Sequence, residues 1–287
     1  MTAALAADAR AAGEVASTKP DAPPEKKMEG LFQPNVKQNV PYCRTDDPAQ
    51  AMDVYLPERV LPGAAPVVVY LHGGGWAMGD KSIGPGTLMI LDLVKRGYVV
   101  AAVNYRLAPA HAWPAQLDDA RCALDYLKAH AQEYHLDPRR VGLMGMSAGG
   151  HLAALLAFEG RAQAVVQMYA PTDLMAPEFG GGKNPFLNKV FGVATADSPI
   201  LLEASPIGKV KKDAPPFFII HGENDTVVPF SQSQRFHDAL VKAGARSRLL
   251  PVKNAGHTLL PAGGFVSPSY MAIADEIYAF FDANLKK

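Results

Sequence analysis

The chain has 287 residues, 48% of them apolar, which supplies one sizeable core and falls short of two full catalytic domains. Lysine and arginine total 28 against 28 aspartates and glutamates, so no basic field draws in a phosphate backbone or anionic lipid, and nucleic-acid or membrane-surface binding is disfavoured. Mean hydropathy is −0.01, and no apolar run approaches the roughly 20 residues of a spanning helix. The two cysteines, Cys43 and Cys122, exclude a disulfide framework and a thiolate zinc cluster. They are read as free buried thiols in preference to one bridge in an exported protein.

Residues 1–30 contain Ala, Pro, Glu and Lys but no apolar core of a secretory signal. The low hydrophobicity of 11–30 marks a disordered leader. It either follows a signal already removed or begins a cytoplasmic protein, and both stay open.

The first clear strand is 67–71 (VVVYL), β-branched and bounded by Pro66 and the glycines of HGGGW. Residues 88–95 have helical spacing, and 98–103 (YVVAAV) return to strand. From Trp113 to His130 a helix is expected, with Leu117, Ala120, Leu124 and Leu127 on one stripe. Strand 141–146, small-residue helix 148–158 and strand 164–169 follow. The alternation resumes with strand 217–220, helix 231–242, strand 248–252 and helix 268–284. Such alternation implies an α/β fold, a mostly parallel sheet with helices on both faces. One domain is assigned to 31–287. Within it, the glycine- and proline-rich stretch 170–216 has no clear strand and is read as a binding loop or small lid.

The chemistry starts at Gly145-Met146-Ser147-Ala148-Gly149, a G-x-S-x-G between an expected strand and an expected helix. A serine on so tight a turn is lifted above the sheet, and the helix behind it points free amides at the same spot. His72-Gly73-Gly74-Gly75-Trp76 follows the first strand. Consecutive glycines there let amides approach a ligand closely. Gly74, Gly75 and Ala148 are the expected oxyanion donors, and His72 is read as structural. A nucleophilic serine needs a base and an orienting carboxylate, here expected downstream with the acid first. Asp225, after strand 217–220, is the expected acid with Glu223 in reserve, and His257 the base. His221 is expected to be buried and hydrogen-bonded; His111, His130, His135 and His237 are expected at the surface without partners. Trp76 and the aromatics Phe179, Phe186 and Phe191 are candidates for a pocket wall, with core packing as the alternative.

With these motifs in place, the chain resembles the α/β-hydrolase superfamily, in the lipase and esterase branch that combines HGGGW with G-x-S-x-G. Asn104-Tyr105-Arg106-Leu107-Ala108-Pro109, Trp113-Pro114-Ala115-Gln116 and Asp118-Asp119 look like hormone-sensitive-lipase-like esterases. DVYLP at 53–57, HGGGWAMGDKS, SAGGHLAAL, APTDL, ASPI and HGENDTVVPFSQS are similar to bacterial feruloyl and acetyl-xylan esterase-like carboxylesterases. The resemblance runs from about Val36 to the C-terminus. It implies a Ser147–His257–Asp225 triad, the oxyanion donors above, two-step acyl transfer, and neither metal nor organic cofactor. The long amino-terminal helical cap of hormone-sensitive-lipase-like enzymes is missing from the pattern, which implies an open cleft for a bulky or polysaccharide-linked ester. HGGGW with this triad also resembles kynurenine formamidases, and a catalytically silent ligand-binding hydrolase fold is the reading from another class. Oligomeric state, monomer or homodimer, stays open.

Overall fold

The computed structural model describes residues 35–43, 45–58, 63–82, 86–180, 183–192 and 199–286. The leader expected over 1–30 lies outside these residues. The elements in chain order are β1 (Asn35–Pro41), β2 (Ala51–Leu56), β3 (Ala65–Leu71), α1 (Gly86–Lys95), β4 (Val99–Val103), α2 (Ala115–Ala129), β5 (Leu136–Met146), α3 (Ala148–Phe158), β6 (Ala164–Met168), α4 (Pro185–Phe191), α5 (Pro199–Glu203), β7 (Phe217–Gly222), α6 (Ser231–Lys242), β8 (Ser247–Val252) and α7 (Tyr270–Leu285).

The strands form one eight-stranded sheet in the order β1-β2-β4-β3-β5-β6-β7-β8. β1 with β2 and β2 with β4 are antiparallel; every pairing from β4 to β8 is parallel. A parallel strand is covered on both faces, which is why β3, β4 and β6 are unbroken apolar or near-apolar runs and are buried throughout. β5 shows the two layers directly. A side chain at Gly142 would collide with Phe281 and Leu285 of α7, and one at Gly145 with the backbone of α3. Positions three apart on a strand face opposite ways, so α7 and α3 cover opposite faces. No helix among the described residues is long and apolar enough to cross a membrane.

β1 and β2 were not expected from hydrophobic pattern, and their chemistry explains why. β1 reads NVKQNVP and lies at the sheet edge with most positions exposed, the polar character that protects an edge from further pairing. β2 is buried but carries Asp53, whose carboxylate lies 3.2 Å from Lys81 Nζ and accepts the Asn39 amide at 2.8 Å. The stretch 170–216 contains no strand among its described residues, as expected; it folds into the short helices α4 and α5 and two 3₁₀ turns, Pro177–Phe179 and Pro206–Lys209.

The free-thiol reading of Cys43 and Cys122 is overturned. The two are joined as a disulfide with Cα atoms 5.9 Å apart across 79 residues of sequence. The chain leaving β1 passes over α2, and only this packing brings the two sulfurs together.

A buried carboxylate anchors the turn after β4. Asp119 on α2, 1% exposed, accepts from Arg106 Nη2 at 2.7 Å, from the Arg106 amide at 2.8 Å and from Gln50 Nε2 at 2.6 Å. The segment it holds donates the Ala108 amide to the Trp76 carbonyl at 2.9 Å, which connects α2 to the glycine loop after β3. Asp119→Ala leaves the Arg106 guanidinium and a buried amide without their acceptor. We expect a loss of about 2–3 kcal/mol, read as a lower urea midpoint with an unchanged slope.

Candidate active site

Four strands deliver the site from their carboxyl ends, the edge of a parallel sheet where ligands bind. β3 runs into Gly73–Gly75, β5 into Ser147, β7 into the loop of Asp225, and β8 into the loop of His257. Ser147 has φ 50° and ψ −119°, a left-handed conformation that costs a non-glycine residue of order 1–3 kcal/mol. α3 can start there because Gly149 lies against β3: a Cβ at this position would be 2.1 Å from the Leu71 carbonyl oxygen. Sheet and helix thus hold the strained turn between them.

Ser147, His257 and Asp225 meet as expected. His257 Nε2 is 3.1 Å from Ser147 Oγ, and its Nδ1 donates to Asp225 Oδ2 at 2.7 Å. With Nδ1 carrying the proton, Nε2 presents a lone pair to the serine hydroxyl. The Asp225 side chain is fully buried, whereas that of His257 is 19% exposed. Glu223, the reserve acid, is exposed and takes no part.

Asp225 is held on every side. Oδ1 accepts the amides of Val227 at 2.8 Å and Val228 at 2.9 Å. Oδ2 also lies 3.1 Å from Nε2 of His221. That second imidazole is buried as expected, donating to the Val228 carbonyl at 2.8 Å and accepting from Ser233 of α6 at 2.6 Å. Burial pushes the Asp225 carboxyl up, but the hydrogen bonds from His221, His257 and the Val228 amide, with the charge of His257, outweigh it. The group stays well below the usual carboxylate range.

The glycine loop faces the serine. Gly74 and Gly75 have φ of 118° and 59°, which glycine adopts without penalty. A Cβ on Gly74 would strike the Met78 carbonyl oxygen at 2.1 Å, and one on Gly75 the Phe186 ring at 2.4 Å. Among the described residues, no backbone carbonyl accepts from the amides of Gly74, Gly75 or Ala148. His72 has the structural place expected of it: buried, stacked on Tyr105 at 4.2 Å, with Nδ1 donating to the Gly73 carbonyl at 2.7 Å. Desolvation lowers its pKa, against the opposing Gly73 bond, so the ring is neutral.

Trp76 is 2% exposed and divides its surface between core and cavity. Its indole N–H donates to Nδ1 of His151 at 3.3 Å, while His151 Nε2 donates to the Ala204 carbonyl at 2.7 Å. Complete burial lowers the His151 pKa to about 4, opposed by the Ala204 bond; the neutral ring thus links the glycine loop to the segment after α5. Of the expected aromatics, Phe186 lines the cavity, whereas Phe191 packs at 5.0 Å from Trp113 and 5.4 Å from Trp76 in the core. Phe179 packs against the core edge.

Two parts of the arrangement were not read from sequence. His221 reaches the acid itself, a contact that pattern cannot show. Gln232, fully buried, accepts the amides of Thr172 and Asp173 at 2.8 Å through Oε1 and donates to the Asp173 carbonyl at 3.0 Å, tying the start of the 170–216 segment to α6. The histidines expected to be without partners need correction. His130 is bonded to the Tyr126 carbonyl at 2.8 Å, His237 to Ser247 Oγ at 2.8 Å, and His111 lies 3.6 Å from Asp47. These are local contacts that leave all three rings outside the site.

Together the loops enclose a cavity of about 490 Å³ lined by Ser147, His257, Gly73–Gly75, Ala148, Tyr70, Tyr169, Met78, Phe186 and Val227 among others. Met78, Phe186 and Val227 are 63%, 43% and 60% exposed, so the mouth is rimmed with apolar side chains.

The structure is similar to a truncated carbohydrate esterase from gut microbiota, with TM-score 0.73, 24% identity and coverage of 88% of this chain and 97% of that one. It is also similar to esterase B from Lactobacillus rhamnosis inhibited by a tributyrin phosphonate, with TM-score 0.74, 24% identity and coverage of 88% and 86%. In sequence it is 33% identical over 252 residues to esterase LipC of Mycobacterium tuberculosis, covering 80% of this chain and 62% of that protein. The chain spans about half the length of other curated relatives it matches. The BD-FAE family model matches residues 52–240. With more than half of its length matched on a mostly parallel α/β-hydrolase sheet, the chain belongs to the BD-FAE family.

Proposed function

We propose that the protein is a serine carboxylesterase that cleaves esters through an acyl-enzyme on Ser147. The observation that carries this reading is the unbroken hydrogen-bond chain from Ser147 Oγ through His257 to Asp225, opening on an apolar cavity. Esterase LipC, its relative at 33% identity, supports the same chemistry.

In the first step His257 Nε2 takes the Ser147 proton as Oγ attacks the ester carbonyl. The imidazolium is stabilised by Asp225, which stays ionised and fixes the tautomer. The carbonyl oxygen becomes an oxyanion bound by the amides of Gly74, Gly75 and Ala148, each such donor being worth about 3–4 kcal/mol in the transition state. Collapse expels the alcohol, which leaves with the proton from His257. Water then attacks the acyl-enzyme with His257 again as base, and the acid departs.

The substrate reading is a short-chain, acetyl or feruloyl-type aryl ester. A cavity of about 490 Å³ accommodates an aromatic acyl group, and Tyr70, Tyr169 and Phe186 give it apolar ring surfaces. The open, apolar-rimmed mouth leaves room for the remainder of a bulky alcohol, including a polymer. Phe186, from the 170–216 segment, acts as a wall over Gly75 in this reading.

Ser147→Ala is expected to lower kcat at least about ten-thousand-fold and to abolish labelling by a serine-directed phosphonate, with circular dichroism unchanged. Intact turnover would overturn the nucleophile. Asp225→Asn tests the acid in two ways. Activity falls about ten-thousand-fold through the wrong imidazole tautomer. Because the folded-state pKa of Asp225 is depressed, its stabilising contribution is present above the unfolded value of about 3.9 and fades as pH drops through and below it; the stability gap between wild type and Asp225→Asn is flat above about pH 5 and narrows progressively as the pH falls below about 4. A gap that stays constant below about pH 4 contradicts the assignment. For Phe186→Ala, kcat/KM for bulky aryl esters should rise about tenfold relative to acetate; an unchanged ratio removes Phe186 from the wall.

A further inference from the structure

Fixed charge is sparse along the described lining of the cavity. Among the described residues that line it, Asp80 alone is permanently charged, and no lysine or arginine is among them. Asp80 lies just beyond the glycine loop and is held rigidly. Its Oδ2 accepts Asn104 Nδ2 at 2.7 Å, and its Oδ1 accepts the Ser82 amide at 2.9 Å and hydroxyl at 2.5 Å. Partial burial pushes the carboxyl up, and the bonds from Ser82 and Asn104, with the nearby Lys81 charge, reverse that and bring it down to about 2. It is therefore an anion at any pH at which an imidazole base works.

The neighbouring charges offset it only in part. Lys81 helps to lower the Asp80 carboxyl, but its ammonium is almost inaccessible and lies 3.2 Å from the equally buried Asp53 carboxylate, so its charge is shared with that partner. His72, on the other side, is neutral, as described above. The remaining walls near the mouth, Met78, Phe186, Val227, Tyr169 and Pro171, are uncharged. Asp80 is thus the one permanently charged residue among the described residues lining a cavity that is otherwise largely apolar and also holds the oxyanion donors.

We propose that Asp80 makes this cavity select esters by charge: it admits neutral and cationic esters and rejects those carrying a free carboxylate or phosphate on either side of the ester bond. The inference rests on the esterase reading and narrows it. Half-esters of dicarboxylic acids and esters on uronate-rich chains fall outside the substrate class; acetyl and feruloyl groups on neutral alcohols fall within it. Asp80 acts on specificity through the field it sets in the cavity, and no proton or bond passes through it.

The test compares kcat/KM within two matched pairs: the acetate ester of choline against that of its uncharged tert-butyl isostere, and p-nitrophenyl hemisuccinate against p-nitrophenyl pentanoate. In the wild type, we expect the cationic member to be favoured by about threefold or more and the anionic member to be disfavoured by about tenfold. Asp80→Asn should bring both ratios towards one, moving them in opposite directions, and Asp80→Glu should restore them. Each ratio is internal to one preparation, so a loss of folded protein cancels. Raising the ionic strength on the wild type reads the same field without a substitution and should shrink both preferences. Equal ratios in wild type and Asp80→Asn, or an anionic ester taken as readily as its neutral partner, overturn the proposal while leaving the esterase reading intact. Absence of turnover on all four esters overturns the esterase reading and the charge selection with it.

Discussion

The Asp225 carboxylate is the constraint on which the site depends. A buried anion is expensive, several kcal/mol even after relaxation, unless its lone pairs are met. Here two amides, His257 and His221 meet them. Satisfying this one charge fixes the loop after β7, because the Val227 and Val228 amides must point inward. It fixes α6, because His221 reaches the acid only while Ser233 holds its far nitrogen. It also fixes His257, whose remaining nitrogen then faces Ser147. The strain at Ser147 is borne at the other end of the same chain, where α3 packs on β3. Positioning by packed strands and a satisfied charge is what lets the proposed proton transfer occur without rearrangement.

Much of this was legible in the residues. Central strands announced themselves because a doubly covered parallel strand must be apolar along its whole length, as VVVYL and YVVAAV are. Helix α3 and helix α6 could be bounded to the residue, since glycine-flanked Ser147 and the proline loop before Ser231 limit where each begins. Ser147, Asp225 and His257 could be named because each follows a strand at the same sheet edge. The obscure parts were those whose cause lies across the fold. β2 hides its strand character behind Asp53, an acid made acceptable by Lys81 and the Asn39 amide. The Cys43–Cys122 bond depends on how the end of β1 crosses α2. His221 and Gln232 look like any strand-end histidine and helix glutamine, and their importance comes from partners four to sixty residues away.

The glycine loop illustrates how support and reactivity are divided. In the proposed mechanism its Gly74 and Gly75 amides stay unpaired to receive an oxyanion, so the loop's own backbone bonds fall to carbonyls such as that of Gly74, which accepts from Ala77 and Met78. Support comes from beneath: His72 stacked on Tyr105, the Trp76 carbonyl bound by Ala108, and the Trp76 indole bound to a neutral His151. Asp119 enters the same scaffold through Arg106. Residues that look remote from the chemistry, including the Asp118-Asp119 motif, therefore act on it through the shape of one turn.

β8 is the outermost strand beyond β7, and His257 hangs from the loop that follows it. Edge elements open with less free energy than interior ones. Mild heating can thus peel away β8 with its imidazole while β3, β5 and α3 keep the serine and its amides assembled. In the esterase reading, inactivation then precedes collapse of the interior, and cooling re-zips the margin. This hem of the sheet, and not its centre, then sets the temperature at which the proposed turnover stops.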